Sequence, residues 1–136
     1  MTDTIADRLA QAQQQAIDTS LTGPEIEAAI IDLAATFEAR SQHHFKRGPF
    51  YKKLRALLIE NNQAALAVDI QNYSNAVNVL KHGTGASYRE LKAAKSLPFT
   101  LKIPAGNIRL VDVTQDSFFA GFVATLDRAH QFLQSR

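Results

Sequence analysis

Cysteine is missing from all 136 residues. Disulfides, thiolate nucleophiles and Cys-ligated zinc are therefore excluded from any account of what the chain does. No run reaches the roughly 18 to 20 consecutive apolar residues that a membrane helix needs. The opening residues, MTDTIADRLAQAQQQ, carry acidic groups and no apolar stretch, so they do not read as a secretory leader. The expected location is the cytoplasm, with no membrane association. Internal repeats and long linkers are also missing, and the only low-complexity stretch is the short QAQQQ.

One further absence is local. Between Arg40 and Arg55, in RSQHHFKRGPFYKKLR, six Lys/Arg residues stand with no Asp or Glu among them. The net charge of the chain is +2, so the remainder is acidic, with nine Lys/Arg against thirteen Asp/Glu. A block of one sign is more often the footprint of an anionic partner than a requirement of folding. Arg40, Lys46, Arg47, Lys52, Lys53 and Arg55 are the candidate nucleic-acid-binding residues, with Phe45, Phe50 and Tyr51 available to stack on bases. The plainer reading is a solvated turn with Phe50 in the core.

What is present reads as helix. A length of 136 residues and 46% hydrophobic content suit one domain, 1–136, with a core of its own. Apolar residues recur at steps of three and four in five places, the pattern of a helix with one buried stripe. The series are Ile5–Leu9–Ala12–Ala16, Ile26–Ile30–Leu33–Phe37, Phe50–Leu54–Leu57, Leu66–Ile70–Tyr73–Val77–Leu80 and Phe119–Phe122–Leu126–Ala129–Leu133. The second opens on TGPE, a capping box with Thr22 as cap, and the fourth stops at Gly83. SYRE, from Ser87 to Glu90, is a further capping box opening one or two turns. Two short runs, Phe99 to Ile103 and Ile108 to Val113, are joined by PAGN and read as a small hairpin. The expected fold is all-α, a bundle of about five helices with a small β-hairpin before the last.

Along the fourth helix, Gln71, Asn75, Asn78 and His82 follow the buried positions by one residue each and form a polar stripe. Only the imidazole of His82 has an ordinary pKa near neutrality, so only it could move a proton there. A Lys–His pair before Gly83 is equally what a helix C-terminus favours electrostatically. An amide-rich stripe also suits solvent or a neighbouring helix. Both readings of His82 stand on the residues alone.

The run NYSNAVNVLKHG, Asn72 to Gly83, resembles the conserved region of the HEPN superfamily, small helical proteins of toxin–antitoxin, defence and RNA-processing systems. That family's usual motif is Arg, a polar residue, three variable residues and His. Asn78 and His82 match the polar and His positions, and Val77 stands where the family has Arg. The resemblance implies a homodimeric RNA-binding protein whose ribonuclease activity is degenerate or lost. In an active form His82 and Asn78 would be the catalytic residues, with Arg47, Lys52 or Arg55 replacing the Arg. Whether the chain is an enzyme stays open. The alternative is a non-enzymatic helical module that binds a partner protein.

No cofactor is expected. His43 and His44 are adjacent and face different directions, and no other group has zinc spacing, so no metal site is expected. HGTGAS lacks the Lys and the preceding strand of a phosphate loop.

Overall fold

Two threonines set the entry of the chain into its bundle. Thr4 and Thr22 each accept a hydrogen bond from the backbone N–H three residues on, and Asp7 and Glu25 reach back to the capping N–H in return. These boxes open α1 (Ile5–Ala16) and α2 (Gly23–Ser41), the second with Pro24 in its first turn. A single 3-10 turn, Gln42–His44, follows α2. Gly48, at φ 102°, then reverses the chain into α3 (Phe50–Glu60). Three residues lead into α4 (Ala64–His82), which stops at Gly83 with φ 73°. The last two helices are α5 (Ala86–Ala93) and α6 (Phe118–Gln134). The computed structural model describes residues 4–106 and 109–136.

The expected all-α class holds, with six α-helices among the described residues rather than about five. The extra helix is α5, and the expected capping box at Ser87 does not form. Gly85 is the cap, α5 begins at Ala86, and the Ser87 hydroxyl instead receives a hydrogen bond from Asn78.

The expected β-hairpin also needs correction. Part of it, at residues 107 and 108, lies outside the described residues. Among the described ones there is no strand, only one antiparallel bridge between Leu101 and Val111. The chain does double back there, and the Lys102 N–H reaches the Leu110 carbonyl at 2.8 Å. The ladder goes no further because its next groups are engaged elsewhere. The Thr100 N–H binds the Asp116 carboxylate at 2.9 Å, and Asp112 folds onto Thr114 in a tight turn. Phe99, Val111 and Val113 are buried, so packing holds this segment rather than pairing.

Helix α4 is the centre of the bundle, touching α2, α3, α5 and α6, while α1 closes the far side against α2 and α6. Fully buried Ile30, Leu33, Phe37, Leu54, Ile70 and Leu126 form the heart of the core. Tyr73 packs with Phe99, Phe118 and Phe122 at ring separations of 5.3 to 5.7 Å, and Phe99 meets Phe118 at 5.0 Å. That aromatic group joins the segment before α6 to the middle of α4. No helix among the described residues is long and apolar enough to cross a membrane.

Candidate functional site

Between α2, α3 and α4 lies a partly enclosed cavity of about 270 Å³. Its floor is apolar, with Ile31 and Ala34 from α2, Val77 from α4 and Phe122 from α6. Tyr51 and Arg55, one turn apart on α3, form one wall. Ser74, Asn78 and Lys81, at steps of four and three on α4, form another, and Glu38 of α2 faces the same space.

Most hydrogen-bond donors around this cavity are already committed. The Tyr51 hydroxyl donates to the Ala34 carbonyl at 2.6 Å. Burial, with a smaller contribution from the charge of Glu38, drives its pKa far above the ordinary phenol value. Tyr51 is therefore a neutral structural donor, not a base. Ser74 donates to the Gln71 carbonyl and Asn78 to Ser87. Asn75, which also borders the cavity, donates to Glu90 at 2.9 Å.

Arg55 is the exception. Its Nε is buried and has no hydrogen-bond partner among the described residues. A buried N–H left without an acceptor costs about 1–3 kcal/mol, more when the group is charged. Lys81 brings a second cation from the exposed side of α4, and Glu38 is the one carboxylate in the lining among the described residues. The cavity thus holds two cations and one anion, with an excess of unused N–H donors.

The other candidate residues take different places. Lys46, Arg47, Lys52 and Lys53 are exposed along the turn and the start of α3, and none of them is in an ion pair among the described residues. Arg40 is exposed in the last turn of α2. Arg55 alone of the six basic residues turns inward, while sharing a second groove with Lys52 on the outer side. Phe50 is buried and packs edge-on against Phe37, Phe45 and Tyr51, so it has no face free for a base.

The stripe on α4 divides. His82 is exposed at the helix end and does not line the cavity. Asn75 is buried and Asn78 half-buried because α5 folds back onto that edge and uses their amides. Asn78 is therefore drawn toward Ser87 rather than His82. Asn78 and Arg55 share the cavity, and Val77 lies in its floor.

Glu38, Ser74 and Lys81 were not among the sequence candidates. Their spacing carried a usable signal: Ile31, Ala34 and Glu38 fall on one face of α2, and Ser74, Asn78 and Lys81 on one face of α4. Sequence alone does not say that those two faces meet.

His43 and His44 stack at 4.2 Å. The pKa of His44 is lowered by burial first, then by the positive charges of His43, Arg136 and His130. Among the described residues no group of three or more His, Asp or Glu is placed to hold a metal ion. Comparison of the chain with family models, curated proteins and solved structures finds no match.

Proposed function

We propose that this protein binds RNA as a HEPN-like protein of a toxin–antitoxin or defence type, working as a homodimer in the cytoplasm. The observation that carries the reading is the meeting of Arg55 with Asn78 in one cavity, beside Val77. Arg55, one of the three residues offered as a replacement for the family's Arg, comes from another helix and shares this space with Asn78, although His82 lies outside it. Lys46, Arg47, Lys52 and Lys53 supply exposed positive charge in the turn before α3 and at its start, which favours a phosphate backbone through counterion release.

The test is fluorescence anisotropy with a labelled single-stranded RNA across a salt series. Affinity should fall steeply with salt, and Lys46→Gln with Arg47→Gln should flatten the slope by about 0.7 for each phosphate that is no longer neutralised. Absence of RNA binding at low salt sinks the proposal. Cleavage is decided separately, with EDTA present to silence metal nucleases. Cleavage by the wild type that vanishes in His82→Ala assigns His82 the proton transfer. An inert wild type leaves binding as the whole activity.

A second reading has its own observation. Ile59 and Val68 are 60% and 52% exposed and share one groove across α3 and α4. An apolar pair of that kind suits a non-enzymatic helical module that docks a partner protein. Partner retention through high salt, with no RNA bound, would favour it.

A further inference from the structure

Helices α3 and α4 share an exposed apolar face that no other helix of the bundle covers. We infer that this face docks an acidic amphipathic helix of a partner protein. The inference rests on the second reading above for the class of partner and names that partner's chemistry.

The face follows from the phase of the two helices. Lys52, Ala56 and Ile59 stand at i, i+4 and i+7 of α3 and form one exposed stripe. Ala64, Val68 and Gln71 repeat that spacing on α4. Only three residues join the helices, and the two stripes line one groove. Ile59 and Val68 project into water from its walls. Ala56, Ala64 and Ala67 complete the lining, and side chains of that size let another helix come close.

Charge decides what the partner carries. Because α3 and α4 are antiparallel, Ile59 and Ala64 stand at the closed end of the groove, with Lys52 and Gln71 at the open end. The groove is thus apolar at one end and cationic at the other. Lys52 lies in the first turn of α3, where no acidic residue stands and the helix dipole adds to its charge. Val68 and Gln71 also border a second groove toward α5, which has the exposed Lys95 in its lining. Among the described residues, Glu90 is the one carboxylate in either lining, and it already accepts from Asn75. Lys52 and Lys95 are in no ion pair among those residues. Carboxylates flanking an apolar stripe are the complement of such a surface.

The lining also separates a helix from other occupants. Among the described residues no aromatic side chain lines the groove, so the bases of an RNA strand find nothing to stack on. An extended peptide brings unpaired backbone N–H and C=O groups onto an apolar floor, whereas a helix bonds its own. Helical anchors at i, i+4 and i+7 match the spacing of both stripes.

The test uses stapled helical peptides of about 16 residues, which do not have to fold on binding. Each carries leucines at i, i+4 and i+7, flanked by glutamates, glutamines or lysines. Each is titrated into the isotopically labelled full chain, with amide shifts followed by NMR. The glutamate peptide should move the amides of Ala56, Ile59, Ala64 and Val68. The lysine peptide should bind about tenfold more weakly or worse. Ile59→Ser and Val68→Ser, at exposed positions where folding is not at risk, should each weaken the glutamate peptide about tenfold. Lys52→Glu should reverse the order of the glutamate and lysine peptides.

Equal binding of all three peptides overturns the acidic partner and spares docking at this groove. No shift at this face with any peptide at about 1 mM overturns both. Shifts of Ala64 and Val68 by single-stranded RNA that the glutamate peptide does not displace give the face to RNA and overturn the inference. A dimer that Ile59→Ser or Val68→Ser splits in sedimentation gives the face to a second copy, with the same result.

Discussion

Gly121 sits where α6 crosses α4, and a Cβ at that position would run into the hydroxyl of Tyr73. Tyr73 has nowhere to retreat, because Phe99, Phe118 and Phe122 surround its ring. Gly121→Ala should therefore cost about 1–3 kcal/mol in urea unfolding, the usual range for overpacking. Tyr73→Phe in the same background should restore part of it by removing the atom that clashes, and an additive double mutant would refute this contact. Arg55 shows the limit of sequence at this scale. It stands in a run of six like charges, and nothing in KKLR distinguishes the inward residue from its neighbours. Its direction follows from the phase of α3, in which Tyr51 and Arg55 lie beside the buried Leu54 and Leu58 stripe. The residues of the motif-like run are legible, yet Asn78 turns to Ser87, a partner nine positions away on a helix outside the five periodic series.

Helices with a clean three-to-four step and a cap can be read directly, because both signals are local in sequence. Thr22 illustrates this: it accepts the Glu25 N–H while Glu25 returns to the Thr22 N–H and hydroxyl. Thr22→Ala should lower stability by about 1 kcal/mol in thermal or urea unfolding, the typical worth of such a cap. A loss of much less would mean that packing of Ile26 and Ile30 alone holds the helix start. The hairpin fails for the opposite reason. Alternation in Phe99–Ile103 is a local pattern, but its outcome is decided by distant groups: Asp116 takes the Thr100 N–H and the aromatic group takes Phe99. Helix α5 shows in the sequence only as the one or two turns expected at SYRE, because its buried stripe holds only Tyr88 and Leu91.

Across the whole molecule, positive charge gathers where the end of α2, the 3-10 turn and the end of α6 come together. His43, His130 and Arg136 all act on His44 there, although they come from distant parts of the sequence. His44 has a folded-state pKa below its ordinary 6.5, with burial the larger cause. Below about 6.5 the unfolded chain takes up this proton more readily than the folded one, so stability falls as pH drops. It is fully present above the unfolded value and declines as pH falls through the folded one. Unfolding midpoints should therefore decrease from pH 7.5 to pH 5, and His44→Gln should flatten that limb. A separate acid limb below about pH 4.5 should remain. It comes from Asp18, Glu25 and Asp112, whose pKa values are depressed mainly by hydrogen bonds from Ser20, Thr22 and Thr114. An unchanged slope in His44→Gln would show that the cluster does not control it.

Helices α3 and α4 are joined by three residues, with Asn62 at φ 62° closing the turn. The consequence concerns the order of events in folding. A short antiparallel helix pair loses little loop entropy on closing, so it belongs to the early part of the reaction. Helix α6 must instead span residues 94–117 before it can dock, which places its packing later. Replacing Leu58 by Ala should slow refolding, whereas replacing Leu133 by Ala should mainly speed unfolding; stopped-flow kinetics with the opposite pattern would refute that order. Both polar walls of the cavity, on α3 and α4, are then among the first parts of the protein to take shape, and the C-terminal helix adds Phe122 to its floor.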